Sequence, residues 1–159
     1  CHAPEVVTLE IGGSNDIATE EVIRGIHDAL QAVAHSLETG EVVCGGGWIH
    51  TSAALEVRKA AEAQSGRERL AMEAFARALE IIPFTLATNA GQQGLDTLLE
   101  LRSEIRSDKQ NIGVNEAGKV GVIEGVWLPA INLSHSFEAA TDAACGLLRV
   151  DQVISARGD

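Results

Sequence analysis

Three consecutive glycines, Gly45–Gly47, lie between two segments with helical hydrophobic periodicity, and this arrangement constrains the chain more than any other stretch. Residues without side chains leave a surface that a ligand or another backbone can approach very closely. A helix is predicted after this glycine triplet, and the N–H groups at a helix start favour an anion or a polar ligand. The alternative is a close-packed elbow between helices. From the glycines alone the elbow is favoured, because short motifs are weak evidence of function.

The segment before the glycine triplet carries the strongest helix pattern in the chain, over residues 17–39. Its apolar residues recur at alternating spacings of three and four, which is typical of a helix with one apolar face. They are Ile23, Ile26, Leu30, Val33 and Leu37. Gly40 is expected to end the helix. The opposite face carries Arg24 and Asp28, which are expected to be exposed and to pair across one turn.

The rest of the chain is predicted to be mainly helical with one small β-hairpin. Pro83 should end or kink the helix that contains it. In chain order the predicted elements are a strand at 6–11, helices at 51–64, 67–82, 95–106 and 134–149, a hairpin of 112–114 with 120–123, and an extended tail or edge strand at 150–155. The expected buried stripes are Met72, Phe75, Leu79, Ile82 and Leu86; Leu98, Leu101 and Ile105; and Phe137, Ala140, Ala144 and Leu147. If partner helices are missing, stripes such as that of Met72 would be exposed and the chain would self-associate.

Charge and composition exclude several classes of partner. The 159 residues suit one domain, or one domain with a small appendage. Twelve basic and 23 acidic side chains give a net charge of −11, which argues against nucleic acid and anionic membranes as partners. No apolar run approaches membrane-spanning length and no signal peptide is visible. The chain begins at Cys1 rather than Met, so we expect it to be a fragment or a processed product of something longer.

The sequence offers little chemistry of its own. The three cysteines form no CxxC pair and the five histidines no HxxxH motif, so no metal site is expected. This cysteine usage fits a reducing compartment. Cys44 is expected to be a buried thiol, and His50 an exposed or capping residue. Asp28 could orient a water molecule near a phosphate, although pairing with Arg24 is the simpler expectation.

A long ordered series of segments resembles the C-terminal portion of group II chaperonin subunits, the thermosome and its TCP-1 relatives. Two segments carry most of it, Val42–Gly47 and Gly66–Pro83. The others are Val7–Ser14, Thr85–Ala87, Asn89–Gly91 and Leu147–Ile154. The similarity covers nearly the whole chain and is weak only around residues 110–135.

The resemblance implies a domain organisation and a fold. Residues 1–39 would be the second half of the intermediate, or hinge, domain. Residues 40–159 would be the second half of the equatorial ATPase domain, a helical bundle with a small β-hairpin.

The resemblance also implies roles for individual residues. Asp28 would position the hydrolytic water in phosphoryl transfer to water. Nucleotide contacts are implied for the glycine triplet Gly45, Gly46 and Gly47, and for Gly113 and Val114. The implied cofactors are ATP with Mg, and K ions, bound mostly by the N-terminal half of the subunit, so no metal ligand is expected in this chain.

Two departures from the family pattern bear on function. The phosphate-binding Gly-Asp-Gly-Thr loop and the substrate-binding apical domain have no counterpart in this sequence. Where relatives carry a ribose-binding acidic residue before a proline, this chain has Leu128 before Pro129. Glu124 is the nearby carboxylate, but the hairpin looks shortened and the role is not transferred to it.

The first hypothesis is therefore the C-terminal segment of an ATP-dependent, cytoplasmic protein-folding chaperonin, which is not ATPase-competent alone. Its partners would be other subunits of a homo- or hetero-oligomeric double ring, and unfolded clients bound through the apical domain. The alternative is a truncated or divergent paralogue that acts as a non-catalytic assembly or regulatory module. An unrelated small helical enzyme would need a base and a nucleophile in one pocket, and the sequence offers no such set.

Overall fold

The computed structural model describes residues 6–151, and the chain divides into two compact units. The first unit comprises Cys1–Glu41 with Pro129–Asp159, and the second comprises Val42–Leu128. The elements in chain order are α1 (Asp16–Thr39), β1 (Val42–Cys44), α2 (Trp48–Ala61), α3 (Gly66–Leu79), α4 (Ile81–Asn89), α5 (Gly94–Arg106), β2 (Ile112–Val114), β3 (Val120–Val122), β4 (Trp127–Pro129) and α6 (Ala130–Leu148). The prediction of a mainly helical chain with a small hairpin is confirmed. The predicted division into hinge and equatorial domains concerns the complete subunit and stays a prediction.

In the first unit, α1 is capped at both ends, and its predicted end at Gly40 is confirmed. The Asn15 side chain accepts a hydrogen bond from the N–H of Ala18 at 2.8 Å, which satisfies one free donor of the helix start. Gly40 adopts φ 68° and donates its N–H to the Ser36 carbonyl at 2.9 Å. That left-handed conformation suits glycine and ends the helix.

The apolar face predicted on α1 is largely exposed. Leu30, Val33 and Leu37 are 58, 57 and 80% exposed, and no residue of α1 is buried. The prediction of a buried side on α6 is wrong as well, since no residue of that helix is buried and Leu147 is 74% exposed. Within their unit the two helices contact each other, with His35 Nδ1 lying 2.7 Å from Asn132 Oδ1. Two helices alone cannot enclose two apolar faces.

The predicted ion pair on α1 is also wrong. Arg24 donates to Glu21 at 2.6 Å, one turn earlier, and Asp28 lies 3.8 Å from His27 Nδ1. All four side chains are at least 63% exposed. Alternative ion pairs between side chains this exposed differ in free energy by only about a few tenths of a kcal/mol. The spacing of charged residues along the helix therefore does not determine which pair forms.

The strand predicted at 6–11 does not form, and residues 6–13 have no regular structure. A strand needs a neighbour for its hydrogen bonds, and in the described part of the chain no strand pairs with this segment. The predicted tail at 150–155 lies outside the described residues from position 152 onward, and residues 150 and 151 form no strand.

In the second unit, the helix predicted at 67–82 ends at Leu79, and a new helix, α4, begins at Ile81. The predicted break at the proline therefore falls at Glu80. Pro83 occupies the first turn of α4, where its missing N–H leaves no intrahelical hydrogen bond unmade. Gly91, with φ 80°, follows the end of this helix, where a left-handed glycine is common.

The core of the second unit lies between α4, α5 and the hairpin. Its buried members are Ala87, Leu101, Ile112 and Val114. The two strands β2 and β3 are antiparallel, as predicted, with Val114 opposite Val120. The predicted apolar face of α5 is also confirmed, because Leu98 and Leu101 are buried and Ile105 packs against the core. Of the Met72 stripe, Leu79 is buried, whereas Phe75, Ile82 and Leu86 are 38–46% exposed.

Glu80, at the break between α3 and α4, is 3% exposed and binds two arginines. Arg58 of α2 donates to its two carboxylate oxygens at 2.6 and 2.5 Å. Arg102 of α5 donates to the same oxygens at 2.7 and 2.5 Å. Burial alone would raise the pKa of Glu80, but the hydrogen bonds and charges of the two arginines outweigh it and hold that pKa below its usual value. One carboxylate thus ties together α2, the α3–α4 break and α5.

The first prediction concerns this carboxylate. Glu80→Gln should lower the free energy of unfolding by roughly 3 kcal/mol at pH 7, because it leaves two arginines without their counter-charge. Since the folded pKa is lowered, the contribution is present above the unfolded carboxyl pKa of about 4.3 and is lost as pH falls through the folded pKa. Urea unfolding at pH 7 and pH 3 should show the two proteins converging at the lower pH. The control is Glu100→Gln on the exposed face of α5, which should change stability by less than about 0.5 kcal/mol. An equal effect of both variants would contradict the assignment.

The second prediction concerns the exposed apolar face of α1. The 159-residue chain should self-associate, because contiguous apolar exposure favours association. Sizing with light scattering over a range of concentrations should give a mass that rises above 16.7 kDa. Replacing Leu30, Val33 and Leu37 together by glutamine should shift the chain towards the monomer. A concentration-independent monomer before substitution would refute the prediction.

Candidate functional site

The glycine triplet is packed against protein on several sides. A Cβ atom on Gly45 would lie 2.5 Å from Val126 Cγ1, and one on Gly47 would lie 2.7 Å from Pro83 Cβ. One on Gly46 would lie 3.0 Å from both the backbone N and O of Val114. Gly46 and Gly47 also adopt φ 64° and 78°, which L-residues with side chains rarely adopt. The close packing expected from the elbow interpretation is present, and the hairpin takes part in it along with α4.

Backbone hydrogen bonds hold the glycine triplet to its neighbours. The N–H of Val114 donates to the Gly46 carbonyl at 2.8 Å, and the N–H of Gly45 donates to the Val126 carbonyl at 3.0 Å. A Cβ atom on Gly113 of β2 would lie 2.8 Å from the Gly46 oxygen. Strand β2 must therefore also lack a side chain where it passes the glycine triplet. Strands β1 and β4 form a two-stranded sheet beside the contact. The backbones of the triplet and of β2 therefore meet directly.

A cleft of about 770 Å³ opens beside this contact, entirely within the second unit. Its apolar lining includes Leu86, Val114 and Ile123, and Gly46 also lines it. Its polar residues are Asn89, Asn115, Glu116 and Glu124. An apolar cleft with a few convergent polar groups is the usual form of a small-molecule site.

The structure thus brings together two of the residues predicted to contact a nucleotide and separates the others from the cleft surface. Gly46 and Val114 line the cleft. Gly45, Gly47 and Gly113 are buried in the packing around it. Asp28 lies on α1 in the first unit, where its side chain is 76% exposed.

Several lining residues were not anticipated from the sequence as site residues. Asn89 and Ala90 lie at the end of α4, and Glu116 lies in the turn between β2 and β3. These residues share one feature. Each lies at the end of a helix or strand that packs on the core, next to the backbone contact made by the glycine triplet. Glu124, to which no role was transferred, lines the cleft, whereas Leu128 is half-buried on β4 and is not part of the lining.

Cys44 and His50 flank the glycine triplet and show no sign of catalytic activation. Cys44 is 3% exposed, and burial raises the pKa of its thiol, so it remains protonated and unreactive at neutral pH. The expectation of a buried thiol is confirmed. His50 is half-buried rather than exposed, and burial lowers its pKa, which favours the neutral imidazole.

Within residues 6–151, no group of three or more His, Cys, Asp or Glu side chains is arranged to hold a metal ion. None of the helices described there is long and apolar enough to cross a membrane.

Comparison with known proteins places this architecture in a family. The model of the TCP-1/cpn60 chaperonin family matches residues 1–158. The chain therefore belongs to that family, and the resemblance noted from its sequence is confirmed.

Its relatives within the family include thermosome subunits. Thermosome subunit beta of Archaeoglobus fulgidus is 41% identical over 99% of this chain, and thermosome subunit alpha of Halobacterium salinarum is 42% identical over 94% of it. The open-state monomer of a group II chaperonin from Methanococcoides burtonii matches 87% of the chain with a TM-score of 0.72 and 34% identity. The chain spans 30% and 27% of the lengths of these two thermosome subunits, and 35% of the solved monomer.

The third prediction tests the contact between the glycine triplet and the hairpin. Gly46→Ala should lower the free energy of unfolding by about 2 kcal/mol, because a side chain at positive φ is strained and the new Cβ crowds the Val114 backbone. Denaturant unfolding measures the loss. The matched control is Gly121→Ala in the same hairpin, where the new Cβ would lie 3.5 Å from Asn115 Nδ2, an ordinary contact. Equal stability of Gly46→Ala and the starting chain would show that the hairpin does not pack on the triplet.

Proposed function

We propose that this chain is the part of an ATP-dependent protein-folding chaperonin subunit that carries one half of the nucleotide site. The observation that carries the proposal is the cleft bordered by Gly46 and Val114, whose backbones are joined by a 2.8 Å hydrogen bond. Both residues are also ones for which the family resemblance implies a nucleotide contact. Membership in the chaperonin family supports the same role.

In this proposal Asp28 positions the water that attacks the terminal phosphate. The charged group described nearest to its exposed carboxylate is His27, whose Nδ1 lies 3.8 Å away, beyond hydrogen-bond distance. The carboxylate is therefore available to accept a hydrogen bond from water. A carboxylate in this role orients the nucleophile and accepts its proton as the bond to phosphorus forms. The double capping of α1 holds this side chain on a regular helix.

The remaining machinery lies outside this chain. Magnesium would neutralise phosphate charge in the transition state, and the residues that bind it are expected in the N-terminal half of the subunit with the phosphate-binding loop. The chain alone is therefore expected to hydrolyse no ATP. The complete subunit would act in the cytoplasm in a double ring with other subunits, on unfolded proteins bound by its apical domain.

The second candidate is a non-catalytic assembly or regulatory module. Leu128 favours it, because an aliphatic side chain at that position cannot accept hydrogen bonds from a ribose. Against it, Leu128 is not part of the cleft lining, and Glu124 supplies a carboxylate there.

The fourth prediction separates the two candidates with a chimera. This chain would replace the matching 30% of thermosome subunit beta of Archaeoglobus fulgidus, which restores the rest of the subunit. The chimera should hydrolyse ATP in the presence of magnesium. Asp28→Asn should lower kcat by roughly 100-fold or more, the scale of a lost general base, with little change in nucleotide affinity.

The matched control is Asp142→Asn on the exposed surface of α6, which should leave kcat unchanged. A folded, ring-forming chimera that binds nucleotide without hydrolysing it would favour the non-catalytic module. Hydrolysis that is insensitive to Asp28→Asn would refute the role of that residue.

A further inference from the structure

A second cavity in the second unit is lined by charged residues, which come from α2, α3 and α5 and from the end of α2. Its volume is about 390 Å³, and it shares no lining residue with the cleft beside the glycine triplet. We call it the arginine cavity, and its described lining residues are Arg58, Glu62, Arg69, Glu73, Arg77 and Arg102. Its four arginines are a third of the twelve basic residues in a chain of net charge −11. Positive charge is therefore concentrated at this one place.

Two of these arginines are held in place and still have donors to spare. Arg58 and Arg102 each use two N–H groups to bind Glu80. A guanidinium carries five N–H groups, so each of the two keeps three more. Their side chains are 26% and 24% exposed, which leaves part of each group accessible. Since both residues line the cavity, the spare donors can serve a ligand there.

Arg77 adds a positive charge that the described residues do not neutralise. Arg69, on the same helix, donates to Glu73 at 2.9 Å. In the described part of the chain, by contrast, no hydrogen bond or ion pair involves the Arg77 side chain, which is exposed. An exposed arginine is ordinary on a solvated helix face. Arg77 differs in that it borders a cavity shared with three other arginines.

We propose that the arginine cavity binds a phosphate group, either as the free ion or as a small phosphate monoester. Its lining carries four positive and two negative side chains. When the buried Glu80 is counted as well, four positive charges still face three negative ones. A phosphate monoester carries a charge of about −2 at neutral pH and offers strong acceptor oxygens. This site lies apart from the nucleotide cleft, and the proposal does not depend on the proposed function.

The arrangement of the donors favours phosphate over a carboxylate. The arginines come from three helices, α2, α3 and α5. A carboxylate has two oxygens in one plane, which suits the paired arginines at Glu80. A tetrahedral phosphate directs its oxygens in several directions and can accept from donors on all three helices. No apolar residue is among those described in the lining, so a ligand that needs apolar contact has no complement there.

The test is equilibrium dialysis of the 159-residue chain against radiolabelled inorganic phosphate, a method that tolerates self-association. Saturable binding with a dissociation constant of order 1 mM is expected at about 20 mM NaCl, the strength of two or three charge-assisted hydrogen bonds. It should weaken at least about threefold at about 500 mM NaCl, because salt screens the arginines. The absence of saturable binding at low salt would overturn the proposal.

Competition identifies the form of the phosphate. Unlabelled glycerol 3-phosphate that displaces the label as well as phosphate does would support a monoester as the ligand. Displacement by phosphate but not by glycerol 3-phosphate would support the free ion. Acetate at the same concentration should displace little. Displacement by acetate as effective as that by phosphate would overturn the preference for a phosphate group.

Three variants assign the binding to the cavity. Arg77→Gln should weaken phosphate binding at least about tenfold, because it removes a charged donor. Glu62→Gln should strengthen it about threefold, because it removes a repelling charge from the lining. The matched control is Arg67→Gln, the same change of charge at an exposed position of α3 outside the lining, which should alter affinity less than about twofold.

All three positions are exposed, so the variants are expected to fold, which urea unfolding checks. Equal weakening by Arg67→Gln and Arg77→Gln would show that only net charge matters and would overturn the assignment. Unchanged binding in folded Arg77→Gln would overturn it as well.

Discussion

The second unit depends on the interaction between the Glu80 carboxylate and two arginines. The carboxylate is buried, it accepts four hydrogen bonds from two arginines, and it sits where α3 gives way to α4. Ending one helix there allows the next to begin with Pro83 in its first turn. Pro83 in turn packs against Gly47, so the position of the glycine triplet follows from the position of the helix break. The cost of burying a charge is offset here by two arginines, which also fix the geometry of three helices.

The glycine triplet allows close packing, and one of its residues also borders the cleft. Gly45 and Gly47 are needed because protein atoms would collide with any side chain there, and Gly46 is needed for the same reason next to Val114. Only Gly46 also borders the cleft. The elbow interpretation and the ligand interpretation of the triplet are therefore compatible, since close packing creates the cleft wall. Substitutions at these glycines would consequently affect folding before they affected any ligand.

Local signals in the sequence predicted the structure well where residues close together in the sequence determine it. The ends of α1, the face of α5 and the hairpin all follow from capping residues, periodicity and turn glycines within a few positions. The failures concern long-range partners. The segment at 6–11 alternates like a strand but has no strand beside it, and α6 has an apolar side with too little surface in its unit to cover it. The Glu80 cluster joins residues 22 positions apart in each direction, which no local pattern reveals.

More of the candidate site was predicted from the family resemblance than from the chemistry of the residues themselves. Gly46 and Val114 were implicated through the family and do line the cleft, whereas Glu116 and Glu124 become visible only when the hairpin and α4 are brought together. The exposure of the regular helix α1 has a mechanical consequence. Asp28 lies twelve positions before Gly40, a distance of about 18 Å along a helix. A rotation of about 20° at Gly40 would carry the carboxylate through about 6 Å, twice the length of a hydrogen bond. A stiff helix of this length would turn a small change at one glycine into a displacement of several ångströms at Asp28.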